Sequence, residues 1–205
     1  MSLFPIFVKL QGRLVVVVGG GNIARAKIAG LLAAGARVRV ISPAITTAIS
    51  EWVRERKIEW LPKVFEQGDL FGAHLVIAAT STPGVNELVF CEADARGVLC
   101  NAVDDIEHCH FYYGSVVQRG DLQIAISTSG KSPALAQRLR QELEAQFGPE
   151  YELWLEWLGA ARELLRASSF ESESNKTLLH HLASQPAFER FLRETHTREP
   201  RKGAA

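Results

Sequence analysis

The segment that most constrains the fold is a run of four valines followed by three glycines, VVVVGGG at 15–21. A β-branched run of this kind is typical of a strand buried on both faces, and the glycines end it. Residues 22–34 then repeat apolar and small side chains at helical spacing, and Gly35 closes the segment as a C-cap glycine. A buried strand, a glycine turn and a helix in this order predict the first unit of a parallel α/β sheet.

The same alternation continues through the first half of the chain and then stops. It predicts further strands at 37–41, 58–61, 75–79 and 98–103 and helices at 44–56 and 83–96. After Phe111 two predicted strands, 115–118 and 122–127, are joined by a hairpin-like turn with no helix between them. This change indicates a domain boundary. The last third is predicted to be helical at 133–147, 150–166, 175–184 and 186–195. A polar connector is predicted at 167–175.

Composition excludes several classes of function. The 205 residues carry 23 basic and 23 acidic side chains, so no overall field attracts nucleic acid or an anionic membrane. No apolar run approaches the ~18 residues of a membrane span, and the amino-terminal segment lacks signal-peptide features, so we expect a cytoplasmic protein. Cys91, Cys100 and Cys109 are odd in number and widely spaced, which predicts reduced thiols in packed positions rather than disulfides.

The glycine turn has the pattern of a dinucleotide-binding loop, Gly19-x-Gly21-x-x-Ala24 between a buried strand and a helix. Gly19 permits the tight turn, Gly21 lets the backbone approach a pyrophosphate, and the small Ala24 lets the helix pack closely. The alternative is a glycine-rich turn that binds nothing. The acidic residue that usually binds the ribose is missing, since Ser42-Pro43 stands at the end of the second strand, and the next basic residue is the distant Arg54. The pattern therefore favours NAD over NADP.

A second candidate site follows the fifth predicted strand, where open α/β sheets place their ligands. There the segment NAVDD ends in two carboxylates. Asp104 is predicted to act as the general base while a nicotinamide accepts a hydride, and a semi-buried setting would suit this role. The alternative is that Asp104 or Asp105 is a turn or N-cap residue. His108-Cys109-His110 follows closely, but with no fourth ligand in sight we expect loop packing and no metal site.

Hydroxyl groups are concentrated between the hairpin and the next helix. Ser127, Thr128, Ser129 and Lys131 precede a helix start, and together they suit carboxylates or phosphates of a substrate. The alternative is ordinary helix capping by Ser132 with a solvated lysine. The hairpin strand at 122–126 alternates apolar and polar residues but has little partner surface within one small domain, which predicts a homodimer.

These segments resemble a known family. Phe7 and Leu10 lead into VVVVGGGNIARAK, and GARVRVISP, IAAT, NAVDD and QIAISTSGKSPALAQRLR follow in order. In this arrangement, over about residues 4–145, the chain resembles the precorrin-2 dehydrogenase and sirohydrochlorin ferrochelatase family, the module also found at the amino end of bifunctional sirohaem synthases. The segment AISTSGKSPALA is far more specific than the glycine loop.

The resemblance implies a Rossmann-type NAD-binding domain at 1–113, a small α+β dimerisation domain at 114–148 and a helical C-terminal domain at 149–205 with a frayed tail. It implies NAD-dependent dehydrogenation of precorrin-2 to sirohydrochlorin, with insertion of a ferrous or cobaltous ion as a further activity. Asp104 aligns with the aspartate that the family uses for dehydrogenation. The expected cofactor contacts, from the glycine loop and the resemblance together, are Gly19, Gly21, Asn22, Ile23, Ser42, Pro43, Ala44 and Thr80.

A second interpretation is a non-catalytic tetrapyrrole- or nucleotide-binding protein that regulates the same pathway. The family usually has two aspartates where this chain has Ser81-Thr82, an arginine at Ala26 and a proline at Gly114. Loss of the aspartate pair would permit a catalytically silent protein. Retention of Asp104 favours the enzyme.

Overall fold

The chain divides into two compact units, Met1–Tyr112 and Tyr113–Ala205. The computed structural model describes residues 3–167 and 172–198. The finer division of the second half into a dimerisation domain and a helical domain stays a prediction. The frayed tail expected at the carboxyl end lies, from residue 199 onward, outside the described residues.

The first unit is a five-stranded parallel sheet with strand order β3-β2-β1-β4-β5. Its elements in chain order are β1 (Leu14–Val18), α1 (Asn22–Ala33), β2 (Arg37–Ile41), α2 (Thr47–Arg54), β3 (Ile58–Leu61), β4 (Leu75–Ala78), α3 (Pro83–Arg96) and β5 (Leu99–Ala102). The predicted Rossmann-type alternation of strands and helices is confirmed. β1 is central, and the chain passes to β2 on one side of it and to β4 on the other.

The valines of β1 belong to two cores, because successive residues of a strand point to opposite faces of the sheet. Val15 and Val17 pack with α1 and α2, whereas Val16 and Val18 pack with α3. All four are at most 2% exposed, and burial of each side chain contributes about 1.5–3 kcal/mol. This double burial fixes the end of β1, from which the glycine turn starts.

Helix α2 begins at Thr47, three residues later than the predicted start at Ala44. The intervening segment instead packs against the glycine turn. The Thr46 N–H donates to the Gly20 carbonyl at 3.0 Å, and the Ser42 hydroxyl donates to the Ala44 carbonyl at 2.7 Å. These contacts hold residues 42–46 as a loop.

The described residues of the second unit form the predicted antiparallel hairpin and four helices. Its elements are β6 (Ser115–Arg119), β7 (Leu122–Ile126), α4 (Pro133–Gln146), α5 (Glu150–Ala167), α6 (Ser172–Leu182) and α7 (Gln185–Arg198). Helix α4 packs on both strands. Aromatic packing joins α5 to α7. The ring centroid of Phe188 on α7 lies 4.5 Å from that of Tyr151 and 4.6 Å from that of Trp154, both on α5.

The predicted connector at 167–175 is too long, because α6 already begins at Ser172. Residues 172–175 of it lie on this helix rather than in a loop, and 168–171 lie outside the described residues. Glu173 in the first turn suits the helix dipole, and the Asn175 amide donates to the Leu165 carbonyl of α5 at 3.2 Å. Among the helices of the described residues, none has the length and apolar character needed to cross a membrane.

Candidate active site

A cleft of about 1090 Å³ lies at the carboxyl ends of the parallel strands. Open α/β sheets bind their ligands at this edge, where the strand order reverses. The walls come from the segments that follow the strands and from the start of α3, namely 18–23, 41–46, 64–65, 79–82, 85–86 and 103–105. All eight residues predicted to contact the cofactor lie on these walls, as does Asp104. That they contact a cofactor stays a prediction.

The three glycines of the turn have different surroundings. A Cβ on Gly19, whose φ is +121°, would overlap the Ala79 carbonyl, and one on Gly20 would overlap the Ala44 carbonyl. A Cβ on Gly21 would meet nothing within 4 Å. Gly19 and Gly20 are therefore required by the fold, whereas the space beside Gly21 is open.

The amino end of α1 forms one wall of the cleft. Gly21 is its N-cap and makes no side-chain capping bond, and no acidic residue lies in the first turn. The first N–H groups of a helix have no partner within the helix, and its dipole favours an anion there. Asn22 and Ile23, in the first turn, line the cleft. This arrangement suits a pyrophosphate.

The loop after β2 forms a second wall without a charged side chain. Ser42 is buried, and its carbonyl accepts a hydrogen bond from the Trp60 indole at 2.9 Å. Pro43 and Ala44 are exposed beside it. The described residues that line the cleft include no lysine and no arginine. This wall therefore offers no cation to a ribose 2′-phosphate.

A buried amide that the sequence reasoning missed supports the loop after β4. Asn86 of α3 is 5% exposed and lines the cleft. The Thr80 hydroxyl donates to its Oδ1 at 2.7 Å, and its Nδ2 donates to the Thr80 carbonyl at 3.3 Å. A polar residue on the buried face of α3 was the available signal. Val64 and Phe65, in the loop after β3, were also missed, because an aperiodic loop carries no such signal.

Asp104 lies in a four-residue turn at the end of β5. The Asp105 N–H donates to the Ala102 carbonyl at 3.3 Å, and Asp104, the third residue of the turn, has φ +60°. Left-handed backbone at a non-glycine residue costs about 1–3 kcal/mol and occurs preferentially at functional sites. The turn leaves Asp104 exposed at the cleft rather than in the semi-buried setting that would suit a base. The residue is thus both a turn residue and a cleft residue.

Two titratable side chains, Lys27 and His108, interact with this turn. Burial lowers the pKa of Lys27 on α1, while attraction to the Asp104 carboxylate acts in the opposite direction. Lys27 therefore lies within electrostatic range of Asp104. The His108 ring is 2.6 Å from a carboxylate oxygen of Asp105. This hydrogen bond raises the pKa of His108 and lowers that of Asp105.

The His-Cys-His segment does not converge on one point. His108 contacts Asp105, whereas His110 accepts a hydrogen bond from the Cys100 N–H at 3.1 Å and contacts Asp94 at 3.2 Å. Within the described part of the chain, no three His, Cys, Asp or Glu side chains are grouped to hold a metal ion. Burial raises the pKa of Cys100 to about 12.

The expectation of packed cysteines is wrong for one of the three. Cys91 is exposed on α3, whereas Cys100 is buried and Cys109 is half-buried.

The predicted substrate-binding residues belong to the second unit, in the loop before α4. Ser132 caps this helix by accepting from the Leu135 N–H at 3.2 Å, as the alternative interpretation expected. The Ser127 oxygen accepts from the Ser129 N–H, and the Thr128 oxygen accepts from the Ser132 N–H. Their hydroxyl protons therefore remain donors. Ser129 has φ +52°, and Lys131 is exposed.

Comparison with known proteins gives two family matches and several relatives. A model described as putative NAD(P)-binding matches residues 6–115, and one described as sirohaem biosynthesis protein central matches 119–146. The siroheme synthase of Photorhabdus laumondii is 43% identical over 145 residues, which are 71% of this chain and 31% of that protein. Siroheme synthase 1 of Serratia proteamaculans is 39% identical over 171 residues, 82% of this chain and 36% of that protein.

A solved structure described as SirC, precorrin-2 dehydrogenase is similar along almost the whole chain. It has a TM-score of 0.80 and 27% sequence identity, and the match covers 95% of this chain and 100% of that one. The chain spans about a third of the length of the curated relatives that it matches, 31% and 36%.

Proposed function

We propose a function that proceeds from one premise: this chain belongs to the precorrin-2 dehydrogenase and siroheme synthase family. The proposed function is the oxidation of precorrin-2 to sirohydrochlorin, with NAD as the hydride acceptor. The two family matches and the similarity to a precorrin-2 dehydrogenase structure support this proposal. The observation that carries it is a single cleft whose walls include both an open glycine turn at a helix amino end and the Asp104 carboxylate.

The residues of the cleft fit a dinucleotide. The open space beside Gly21 and the uncapped amino end of α1 would accept the pyrophosphate. We favour NAD over NADP because no lysine or arginine lies among the described residues of the walls. When bound, the nicotinamide supplies the hydride acceptor.

Asp104 would act as the base. Oxidation removes a hydride and a proton from the substrate, and the exposed carboxylate can take the proton and release it to water. Lys27 lies within electrostatic range of this carboxylate, and the attraction between the two charges would grow when water is displaced.

Precorrin-2 carries acetate and propionate groups, for which the second unit offers hydrogen-bond donors. We assign their recognition to Ser127, Thr128, Ser129 and Lys131, whose hydroxyl and ammonium groups suit carboxylates. We also propose a homodimer, because the alternate apolar side chains of β7 stay half-buried within the chain. A ferrous or cobaltous ion would be a second substrate of the same enzyme.

The test is an anaerobic absorbance assay with purified protein, precorrin-2 and either NAD or NADP. We expect sirohydrochlorin to appear with NAD, at a higher kcat/KM than with NADP, and kcat to fall by ~10²–10⁴-fold in Asp104→Asn. Addition of ferrous or cobaltous ion then tests metal insertion. NAD binding without any oxidation of precorrin-2 would contradict the proposal and support a regulatory binding protein.

A further inference from the structure

The turn that presents Asp104 is held by the residues that follow it. After the turn the chain returns along β5, where Asn101 and Cys109 form an antiparallel bridge. The Ala102 N–H donates to the His108 carbonyl at 3.3 Å, and the Asn101 amide contacts the Cys109 sulfur at 3.4 Å. His108 and Cys109 therefore lie directly against the base of the turn.

The Cys109 thiol touches both ends of the turn. Its sulfur lies 3.1 Å from the carbonyl oxygen of Ala102 and 3.1 Å from that of Asp105, the first and fourth residues of the turn. Burial raises the pKa of this thiol, so it keeps its proton at neutral pH and remains a donor. One S–H group thus bridges the two residues that flank Val103 and Asp104.

His108 fixes the same turn from the side. Its ring contacts the Asp105 carboxylate at 2.6 Å and packs edge-on against Phe90 of α3, with 5.0 Å between ring centroids. Phe90 belongs to α3, so this contact connects His108 to a helix that packs on the sheet. The residue next to Asp104 is therefore anchored to a regular element rather than left in a free loop.

We propose that His108 and Cys109 are positioning residues that hold the 102–105 turn and thereby keep the Asp104 carboxylate at the cleft. The proposal rests on the function proposed above. A left-handed residue persists only where its surroundings enforce it, and these two side chains supply contacts at both ends of the turn. Neither residue touches the reacting atoms in this role. A misplacement of about 1 Å in a reacting group can cost ~10²-fold in rate.

The experiment compares paired variants in the full chain. His108→Leu and Cys109→Ala remove the contacts, whereas His108→Asn and Cys109→Ser keep a donor near the same place. Asp94→Asn is the matched control. It removes the charge from the other histidine–carboxylate contact beside Phe90, that of His110, away from the turn.

Three measurements are made on each folded variant: kcat and KM for precorrin-2, the dissociation constant for NAD, and hydrogen exchange of the backbone amides at 102–106. We expect His108→Leu and Cys109→Ala to lower kcat by roughly 10- to 100-fold and to speed exchange of the Asp105 amide, with NAD affinity unchanged. The donor-retaining variants should recover most of kcat, and Asp94→Asn should behave as wild type.

Unchanged kcat and exchange in both contact-removing variants would overturn the positioning role. Loss of NAD affinity in parallel with kcat would also overturn it, because the residues would then shape the cofactor site. If His108→Leu does not fold, Cys109→Ala and the donor-retaining pair carry the same comparison. Absence of precorrin-2 oxidation in the wild-type chain would instead overturn the proposed function, while the exchange data would still report whether the turn is held.

Discussion

Gly21→Asp should separate cofactor binding from folding. Gly21 is the N-cap of α1, with extended backbone (φ −83°, ψ −171°), and a Cβ there meets no atom within 4 Å. Aspartate is among the preferred N-cap residues. The variant should therefore fold as well as the wild type, with a Tm that is unchanged or slightly raised.

The same substitution should remove most of the affinity for NAD. A carboxylate about 5 Å from one phosphate charge costs ~3 kcal/mol at an effective dielectric constant of 20, and less where water screens it. At about 1.4 kcal/mol per tenfold change, we expect NAD to bind roughly 10- to 100-fold more weakly. Gly21→Asn is the matched control, because it has the same size without the charge and should lose less.

Gly19→Ala should lower the stability of the fold, whereas Gly21→Asp should lower the affinity for NAD. The φ of +121° at Gly19 costs an alanine about 1–3 kcal/mol, and the overlap with the Ala79 carbonyl adds an overpacking cost of about 1–3 kcal/mol. At about 2–4 °C per kcal/mol, Tm should fall by roughly 10 °C. Calorimetric titration with NAD and thermal melts test all three variants. Wild-type NAD affinity in folded Gly21→Asp would refute the assignment of this turn to the pyrophosphate.

Three further predictions concern the base, the pH dependence and the assembly. Asp104→Asn should lower kcat by ~10²–10⁴-fold with NAD affinity intact, whereas Asp105→Asn should do much less; equal losses in steady-state kinetics would contradict the assignment. The pKa of His108 is raised by Asp105 and by the charges of Glu87 and Glu107, so its contribution to stability is present below its unfolded pKa and is lost as pH rises through the folded value. The pKa of Asp105 is lowered, so its contribution to stability is lost as pH falls through its folded pKa. Thermal melts against pH should therefore show the largest difference in Tm between wild type and His108→Leu in the pH range above the titration of Asp105 and below that of His108. Light scattering at micromolar concentration should give the mass of a dimer, and a monomer mass would count against the interface proposed at the half-buried apolar side chains of 122–126.

The sequence was sufficient for the parallel sheet because its signals are local and strong. A valine run can be buried on both faces only in a covered sheet, and three glycines after it leave one kind of turn. The conformation of Asp104 could not be predicted, because its turn has no glycine and depends on contacts with Cys109, seven residues from Ala102. The support of Thr80 by Asn86 was missed for the same reason, since the pairing of a loop with a helix side chain exists only after the fold has formed.

The contact between Gly20 and the loop after β2 has a consequence for changing the cofactor. The Ala44 carbonyl occupies the place of a Cβ on Gly20, and the Thr46 N–H is bonded to the Gly20 carbonyl, so the glycine turn, proposed to bind the pyrophosphate, and the loop after β2, proposed to face the ribose, cannot shift independently. The Ala44 side chain, in contrast, is exposed. A redesign toward NADP can therefore introduce a basic side chain at Ala44, but an insertion or a proline at Thr46 would be transmitted to the pyrophosphate end and weaken both dinucleotides alike.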